Sequence, residues 1–327
     1  MKYSEIPVVT LGILCYNHEN YLEGCFKSIL SQEYRNIEII INDDSSKDES
    51  ITIIKKFIPF LEQKFNSVLL VKNSENQGIC KSVNNIVRRA KGNYIKLLAS
   101  DDLMHSLCIS SLVEYMETHA EKIVCFTNGY IVDESYYYGD RVNAHQIFNK
   151  ASFTLEGKDL FKKLMKGNFI NTVGMMIRRE AYEKYGFYDE QMSFEDYDMW
   201  LRLARFEEFG YLATPLVYYR RGETSITNVH SKNGKKKYLF MTIGTIKIFE
   251  KHIAYIEKRE RIKYRKEFYN KTLRDMIEKN YFDFFLKWFK IMRKKEILLE
   301  EETISLMKRK NVIWNLVILY FKIKNYI

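Results

Sequence analysis

Two hydrophobic periods alternate along the first half of the chain. Residues 8–14, 37–41, 68–72, 94–98 and 123–126 are short apolar runs rich in β-branched residues, which predict strands. Between them, residues 21–31, 48–57, 79–90 and 103–119 carry apolar side chains at helical spacing. Ser45 or Ser46 is placed to cap the second of these helices, and Gly92 follows the third. Repeated β-α units with short connections predict an α/β fold, a mostly parallel sheet with helices on both faces. The middle is less regular: a helix over 158–166, a short strand over 173–177, a helix over 194–206 and a strand-like stretch over 216–219. From Lys235 onward the pattern is helical. Tyr281, Phe285, Trp288, Phe289 and Met292 share one face there, and Asp283, Lys287, Lys290 and Lys294 the other.

Charge divides the chain. Residues 231–327 hold 25 Lys and Arg against 11 Asp and Glu, whereas residues 1–230 hold 27 against 31. The net charge of +10 therefore belongs to the C-terminal third. This places a boundary near 227–234 and defines two regions, 1–230 and 231–327. Only three prolines occur, so no long flexible linker is expected. The five cysteines are odd in number and form no C-x-x-C pair. That pattern favours reduced thiols in a cytoplasmic protein over a zinc site or a disulfide framework. The first seven residues lack the apolar stretch of a signal peptide. The apolar run 312–321 is shorter than the roughly 20 residues that a bilayer needs.

Three acidic clusters carry the candidate chemistry: Asn42-Asp43-Asp44, Ser100-Asp101-Asp102 and Glu195-Asp196. The first two directly follow predicted strands, and open α/β sheets bind ligands beyond the carboxyl ends of their strands. Carboxylates gathered there repel one another unless a cation lies between them, and a divalent metal with a phosphate ligand satisfies that need. Taken singly, each pair also reads as a turn and helix cap. Glu195-Asp196 likewise suits the first turn of a helix, where the dipole favours negative charge.

The full set of residues resembles family 2 glycosyltransferases with the GT-A fold over roughly residues 8–226. The resemblance rests on Tyr16-Asn17, on Asp43-Asp44-Ser45-Ser46-Lys47-Asp48, and on Asn76-Gln77-Gly78 with Asn84. It continues through Lys91-Gly92-Asn93-Tyr94-Ile95, Ser100-Asp101-Asp102, the run from Glu195 to Arg202, and Tyr219-Arg220-Arg221. It implies a nucleotide-diphospho-sugar transferase sheet, here with a helical C-terminal extension. Donor contacts are then expected from Leu14, Tyr16, Asn17, Asp43, Asp44, Asn76, Gly78, Asn84, Asp101, Arg220 and Arg221. Tyr16 offers a ring to the base, or alternatively to the core. The resemblance implies that Asp44 meets the base with Asp43 beside it, and that backbone at Leu14 and Cys15 supplies any contact there. Asp102 is expected to be the main ligand of Mn²⁺ or Mg²⁺, and Asp101 a metal or ribose contact. The metal would be a Lewis acid toward the departing diphosphate.

Family members of this kind invert, so a carboxylate must take the acceptor proton; Asp196 is the first candidate and Glu195 the second. Asp198 and Arg202 read as a bracing or surface pair. Arg220 and Arg221 suit phosphate oxygens, because a guanidinium presents a planar fork. The stretch 219–227 is expected to close over the diphosphate, and His230, Lys81 and Lys96 are read as solvated. No Q-x-x-R-W motif follows Trp200, which argues against processive synthesis. The expected donor is a nucleotide-sugar, with UDP as the default, and the acceptor a glycan or lipid-linked sugar of surface polysaccharide assembly. The basic C-terminal region is expected to combine packing on the catalytic domain with contact to an anionic membrane at its cytoplasmic face; the alternative is that it only covers the catalytic domain and its basic face is solvated. Nothing in the motifs calls for nucleic acid. Two other classes compete: a sugar nucleotidyltransferase, which needs a glycine-rich phosphate loop that Gly12 alone does not supply, and a non-catalytic glycan-binding or assembly protein.

Overall fold

The computed structural model describes residues 6–140, 160–222, 234–279, 281, 288, 291, 292, 294, 295 and 297–309. The expectations for His230, residues 223–227, Asp283, Phe285, Lys287, Phe289, Lys290 and 312–321 lie outside these residues. The chain forms two compact units, Met1–Leu164 with Asn168–Lys232, and Met165–Gly167 with Asn233–Ile327.

The first unit is built on eight strands: β1 (Val9–Cys15), β2 (Ile37–Asp43), β3 (Ser67–Lys72), β4 (Tyr94–Ala99), β5 (Leu103–Met104), β6 (Val124–Val132), β7 (Met175–Arg178) and β8 (Phe209–Arg220). Their order is β3-β2-β1-β4-β7-β6-β8-β5. Pairing is parallel between β3, β2, β1 and β4 and between β6 and β8; β7 and β5 pair antiparallel. The predominantly apolar runs of β1, β2 and β4 follow from this placement, since a strand covered on both faces needs no regular polar alternation. Every residue of β2 is buried, whereas edge strand β3 alternates with exposed positions. The helices are α1 (Glu19–Leu30), α2 (Ser50–Lys64), α3 (Ile79–Val87), α4 (Cys108–Thr118), α5 (Leu160–Leu164), α6 (Glu180–Tyr185) and α7 (Asp196–Leu203).

Three local expectations are corrected. Residues 103–119 are not one helix: Leu103 and Met104 form β5 on the end of β8, and α4 starts only at Cys108. Both side chains are wholly buried, and packing of that pair outweighs the helical spacing. Neither Ser45 nor Ser46 caps α2. Ser45 sits at φ 65°, and the Ser46 hydroxyl accepts from Asn17 N. The cap position falls to Glu49, whose side chain makes no cap bond, and Asp48 Oδ1 just before it accepts from Ser50 N at 3.0 Å. Lys96 is not solvated but wholly buried, because β4 lies inside the sheet beside β1 and β7.

The sheet is sharply bent. β4 ends at Ala99 and β5 begins at Leu103, yet β7, β6 and β8 stand between them in strand order. Four flat strand spacings amount to roughly 19 Å. The chain from Ala99 to Leu103 reaches at most about 14 Å. Register shifts between β6 and β8 at Thr127/Asn128 and Asn128/Gly129 are where the required curvature enters.

The second unit contains α8 (Gly234–His252), α9 (Lys258–Glu278) and α10 (Glu301–Arg309). Its core stacks Phe249 on Phe268 at 3.9 Å and Tyr269 on Trp288 at 4.8 Å. Asn270 locks a neighbouring segment by donating to Leu298 O and accepting from Glu300 N, both at 2.9 Å. Among the described residues no helix is long and apolar enough to cross a membrane.

Candidate active site

The end of β1 joins two of the acidic loops. Leu14 O accepts from Ser100 N at 2.9 Å, and Cys15 O accepts from Asp44 N at 2.8 Å. The parallel register that sets Cys15 opposite Asp43 and Leu14 opposite Ala99 produces this junction. Asn17, at φ 55°, turns the chain there; asparagine tolerates that conformation better than most residues. Its Oδ1 accepts from Lys47 N at 2.8 Å. Tyr16 is 43% exposed, so its ring is free of the core. His18, which the sequence reading passed over, brings Nδ1 to 2.9 Å from Ser100 Oγ and 3.9 Å from Asp101 Oδ1.

Asp43 and Asp44 are both buried but differ in partners. Asp44 Oδ1 accepts from Asn73 Nδ2 at 2.7 Å and Gln77 N at 2.8 Å, and Oδ2 accepts from Gly78 N at 2.9 Å. The carboxylate thus gathers the loop that carries Asn76, itself exposed, into the start of α3. Gly78 takes φ 83°, which a side chain would resist. Asp43 Oδ2 accepts from Ser46 N at 3.1 Å, while Asp43 Oδ1 and both polar atoms of Asn42 have no hydrogen-bond partner among the described residues.

At the end of β4 the two carboxylates face different surroundings. Asp102 is 4% exposed, and its Oδ1 accepts from Arg220 N at 2.9 Å. Asp101 lies nearer solvent beside His18. Burial first, and then the charge of Asp101, hold the Asp102 carboxyl well above the usual range. Buried Lys96 opposes that rise; its own pKa is lowered by burial, with Nζ donating to Val173 O and Leu97 O. Arg220, expected on the diphosphate, is turned inward. Its Nε donates to Asp101 O, and Nη1 to the carbonyls of Asp133, Glu134 and Tyr136, at 2.9–3.0 Å. Its guanidinium also lies 5.0 Å from the centre of the Tyr21 ring. Arg221 is exposed, with its guanidinium over Tyr219, and is the arginine of the pair that can turn toward a ligand.

Glu195 and Asp196 open α7. Burial pushes the Glu195 carboxyl up to about 8, with the Asp196 charge adding to the rise. Burial likewise raises Asp196, against hydrogen bonds from Tyr197 N and Asn168 Nδ2. A helix dipole is worth about 0.3–1 kcal/mol and favours the ionised form, so it acts against the burial that raises both carboxyls. Asp198 and Arg202 do brace: Nη2 meets Oδ2 at 3.0 Å, and Nη1 holds the carbonyls of Tyr185 and Phe187. The first turn of α3 links the loop before this pair to the rim. Gly78 bonds Asp44, and Cys80 Sγ donates to Met192 O at 3.5 Å. Asn84, expected on the donor, instead holds the loop before α7, donating to Tyr188 O and Glu190 Oε1 and accepting from Tyr188 N.

The donor set suits a hard divalent cation. Asp101 and Asp102 offer oxygen ligands and repel each other, which a shared positive charge would relieve. Among the described residues no three His, Cys, Asp or Glu side chains converge to hold a metal alone. Phosphate oxygens and water would complete the shell.

A sheet of this topology with carboxylates on its strand ends is a GT-A glycosyltransferase scaffold. S. aureus TarS in complex with UDP shares the fold with TM-score 0.56 and 17% identity, covering 80% of this chain and 71% of that one. Mannosyltransferase PcManGT from Pyrobaculum calidifontis, in complex with GDP-Man and Mn²⁺, gives TM-score 0.53 and 14% identity, covering 76% and 64%. The chain belongs to Glycosyl transferase family 2, whose model matches residues 10–186. An uncharacterized glycosyltransferase of Rickettsia typhi is 26% identical over 74% of this chain and 72% of its own length. The Escherichia coli UDP-Glc:alpha-D-GlcNAc-diphosphoundecaprenol beta-1,3-glucosyltransferase WfaP is 35% identical over 40% of this chain and 49% of its own length.

Proposed function

We propose that this glycosyltransferase moves one sugar, with inversion and without processive extension, from a nucleoside diphosphate to a glycan or lipid-linked acceptor. UDP is the favoured nucleotide, and surface polysaccharide assembly at the cytoplasmic face of a membrane is the setting. One observation carries the reading: the first turn of α3 holds both the Asp44 rim and the loop that leads into the Glu195–Asp196 pair. A base must sit beside the donor and hold a proton affinity near working pH.

The residues divide the work as follows. Tyr16 offers a ring to the base, with Leu14, Asn17, Asp43 and Asp44 shaping its bed. Asp101 is the cation ligand nearer solvent and Asp102 supports it from below. Bound Mn²⁺ or Mg²⁺ would supply positive charge against the developing diphosphate. Arg221 meets the phosphate oxygens from the end of β8. Asp196, held by Asn168, takes the acceptor proton as the hydroxyl attacks the anomeric carbon from the face opposite the leaving group. Glu195 sets the proton affinity of the pair.

The test is release of nucleoside diphosphate from a panel of nucleotide-sugars with Mn²⁺ and candidate acceptors, with the Asp196→Asn variant in parallel. The expected result is donor binding unchanged and turnover reduced at least a hundredfold, the typical scale of general-base catalysis. Release of pyrophosphate would point to nucleotidyl transfer. Unchanged turnover in the variant would remove the base role from Asp196.

A further inference from the structure

The exposed line of α8 runs Lys236, Phe240, Ile243, Lys247, Lys251, in steps of four, three, four and four residues. That spacing keeps all five on one stripe of the helix. Phe240 is 44% exposed and Ile243 is 42% exposed, with half-buried Leu239 and Ile246 bordering them. The apolar residues occupy the middle of the stripe and lysines occupy both ends. Glu250, the sole carboxylate of α8, borders the stripe but is half-buried and neutralised, accepting from Tyr269 Oη at 2.8 Å and lying 3.2 Å from Arg265 and 3.3 Å from Lys295.

We infer that this face of α8 is the surface that lies on an anionic lipid bilayer. The inference deepens the proposed transfer at a membrane and rests on that reading. A helix in the interface places its apolar side chains below the headgroups, while lysine stems run along the apolar surface and lift their ammonium groups to the phosphates. The apolar centre is largely aliphatic, with Ile243 bordered by Leu239 and Ile246, which suits acyl chains rather than the stacking platform that nucleic-acid bases use. The charge agrees: residues 231–327 carry 25 basic and 11 acidic side chains, so the surrounding region attracts anionic headgroups before contact.

The experiment is vesicle flotation of the full chain with phosphatidylcholine alone and with added phosphatidylglycerol, beside the double variant Phe240→Glu/Ile243→Glu. The wild type is expected to float with anionic vesicles and to lose binding as salt rises. The double variant is expected to bind roughly ten- to a hundredfold more weakly. A second variant, Lys236→Glu/Lys247→Glu, keeps the apolar centre and is expected to lose the anionic preference. Unfolding temperature checks that each variant is folded. Nucleoside diphosphate release with a water-soluble acceptor is read in the same samples. Equal release with lost flotation supports the assignment. Absent flotation of the wild type, or undiminished flotation of both variants, overturns it. A concentration-dependent dimer that Phe240→Glu/Ile243→Glu abolishes would show a self-contact and also overturn it. Loss of release from all samples, with flotation intact, would count against the transfer reading alone.

Discussion

Lysine at position 220 keeps the charge of the arginine and removes its fork. The wild-type guanidinium donates to four carbonyls at 2.9–3.0 Å, from Asp101 on one side and Asp133, Glu134 and Tyr136 on the other. A hydrogen bond from a charged group contributes about 1.5–3 kcal/mol net. An ammonium reaching the same place serves one side of this set, so at least two strong bonds are lost, nominally about 3–6 kcal/mol. The carbonyls of residues 133–136 lie at the surface and regain water, which favours the lower end, about 3 kcal/mol. For a unit of this size, 1 kcal/mol moves Tm by roughly 2–4 °C, so Arg220→Lys is expected to lower Tm by roughly 6–12 °C. Thermal unfolding by circular dichroism and titration of UDP with Mn²⁺ by calorimetry are the two readouts. Arg221→Lys is the control: an exposed change within about 0.5 kcal/mol of stability, but with weaker UDP binding. An unchanged Tm in Arg220→Lys together with weakened UDP binding would refute the brace and put that guanidinium on the ligand.

Asp101→Asn is expected to weaken Mn²⁺-dependent UDP binding more than Asp102→Asn, since Asp101 is nearer solvent and Asp102 is tied to Arg220 N; Mn²⁺ titrations at fixed UDP compare them. The pair Glu195–Asp196 acts as base only when it has released its proton, so kcat/KM is expected to fall with decreasing pH well above the usual carboxylate range near 4. A pH–rate profile with its acid limb at pH 4 would contradict the burial argument. The same shift acts on stability. Folded Glu195 keeps a proton that the unfolded chain releases at about 4.5, so stability declines as pH rises from there to about 8. Glu195→Gln is expected to flatten that decline in denaturant titrations. Gly92→Ala is expected to cost roughly 3 kcal/mol, because a Cβ there would stand 2.5 Å from Thr10 N and 2.8 Å from Val8 O.

Strands β1, β2 and β4 were readable because their apolar runs are buried on both faces, and the first two acidic clusters were readable because they follow β2 and β4. Partners distant in sequence were not. Asn168 reaches Asp196 across 28 positions, and nothing local marks it. Arg220 looked like a phosphate fork because its side-chain type suits that work; its carbonyl partners are backbone, which no residue code records. Lys96 was read as solvated because a charge inside an apolar run is ordinarily assigned to the wet face. Burial inside the sheet, with backbone carbonyls as acceptors, overrides that rule. His18 did carry a signal, a polar stretch directly after β1, but its meaning depended on Ser100 lying 2.9 Å away.

The short passage from β4 to β5 has a consequence for how this molecule can vary. Ser100, Asp101 and Asp102 act as a tie-bar across the curl of the sheet, joining its fourth strand to its eighth. An added residue there would slacken the tie, and a missing one would pull β5 off β8. The carboxylates therefore cannot be lengthened, shortened or re-aimed independently of the curvature that β6 and β8 share. Diversity in what such a scaffold accepts has to be written elsewhere, in segments that bear no tension.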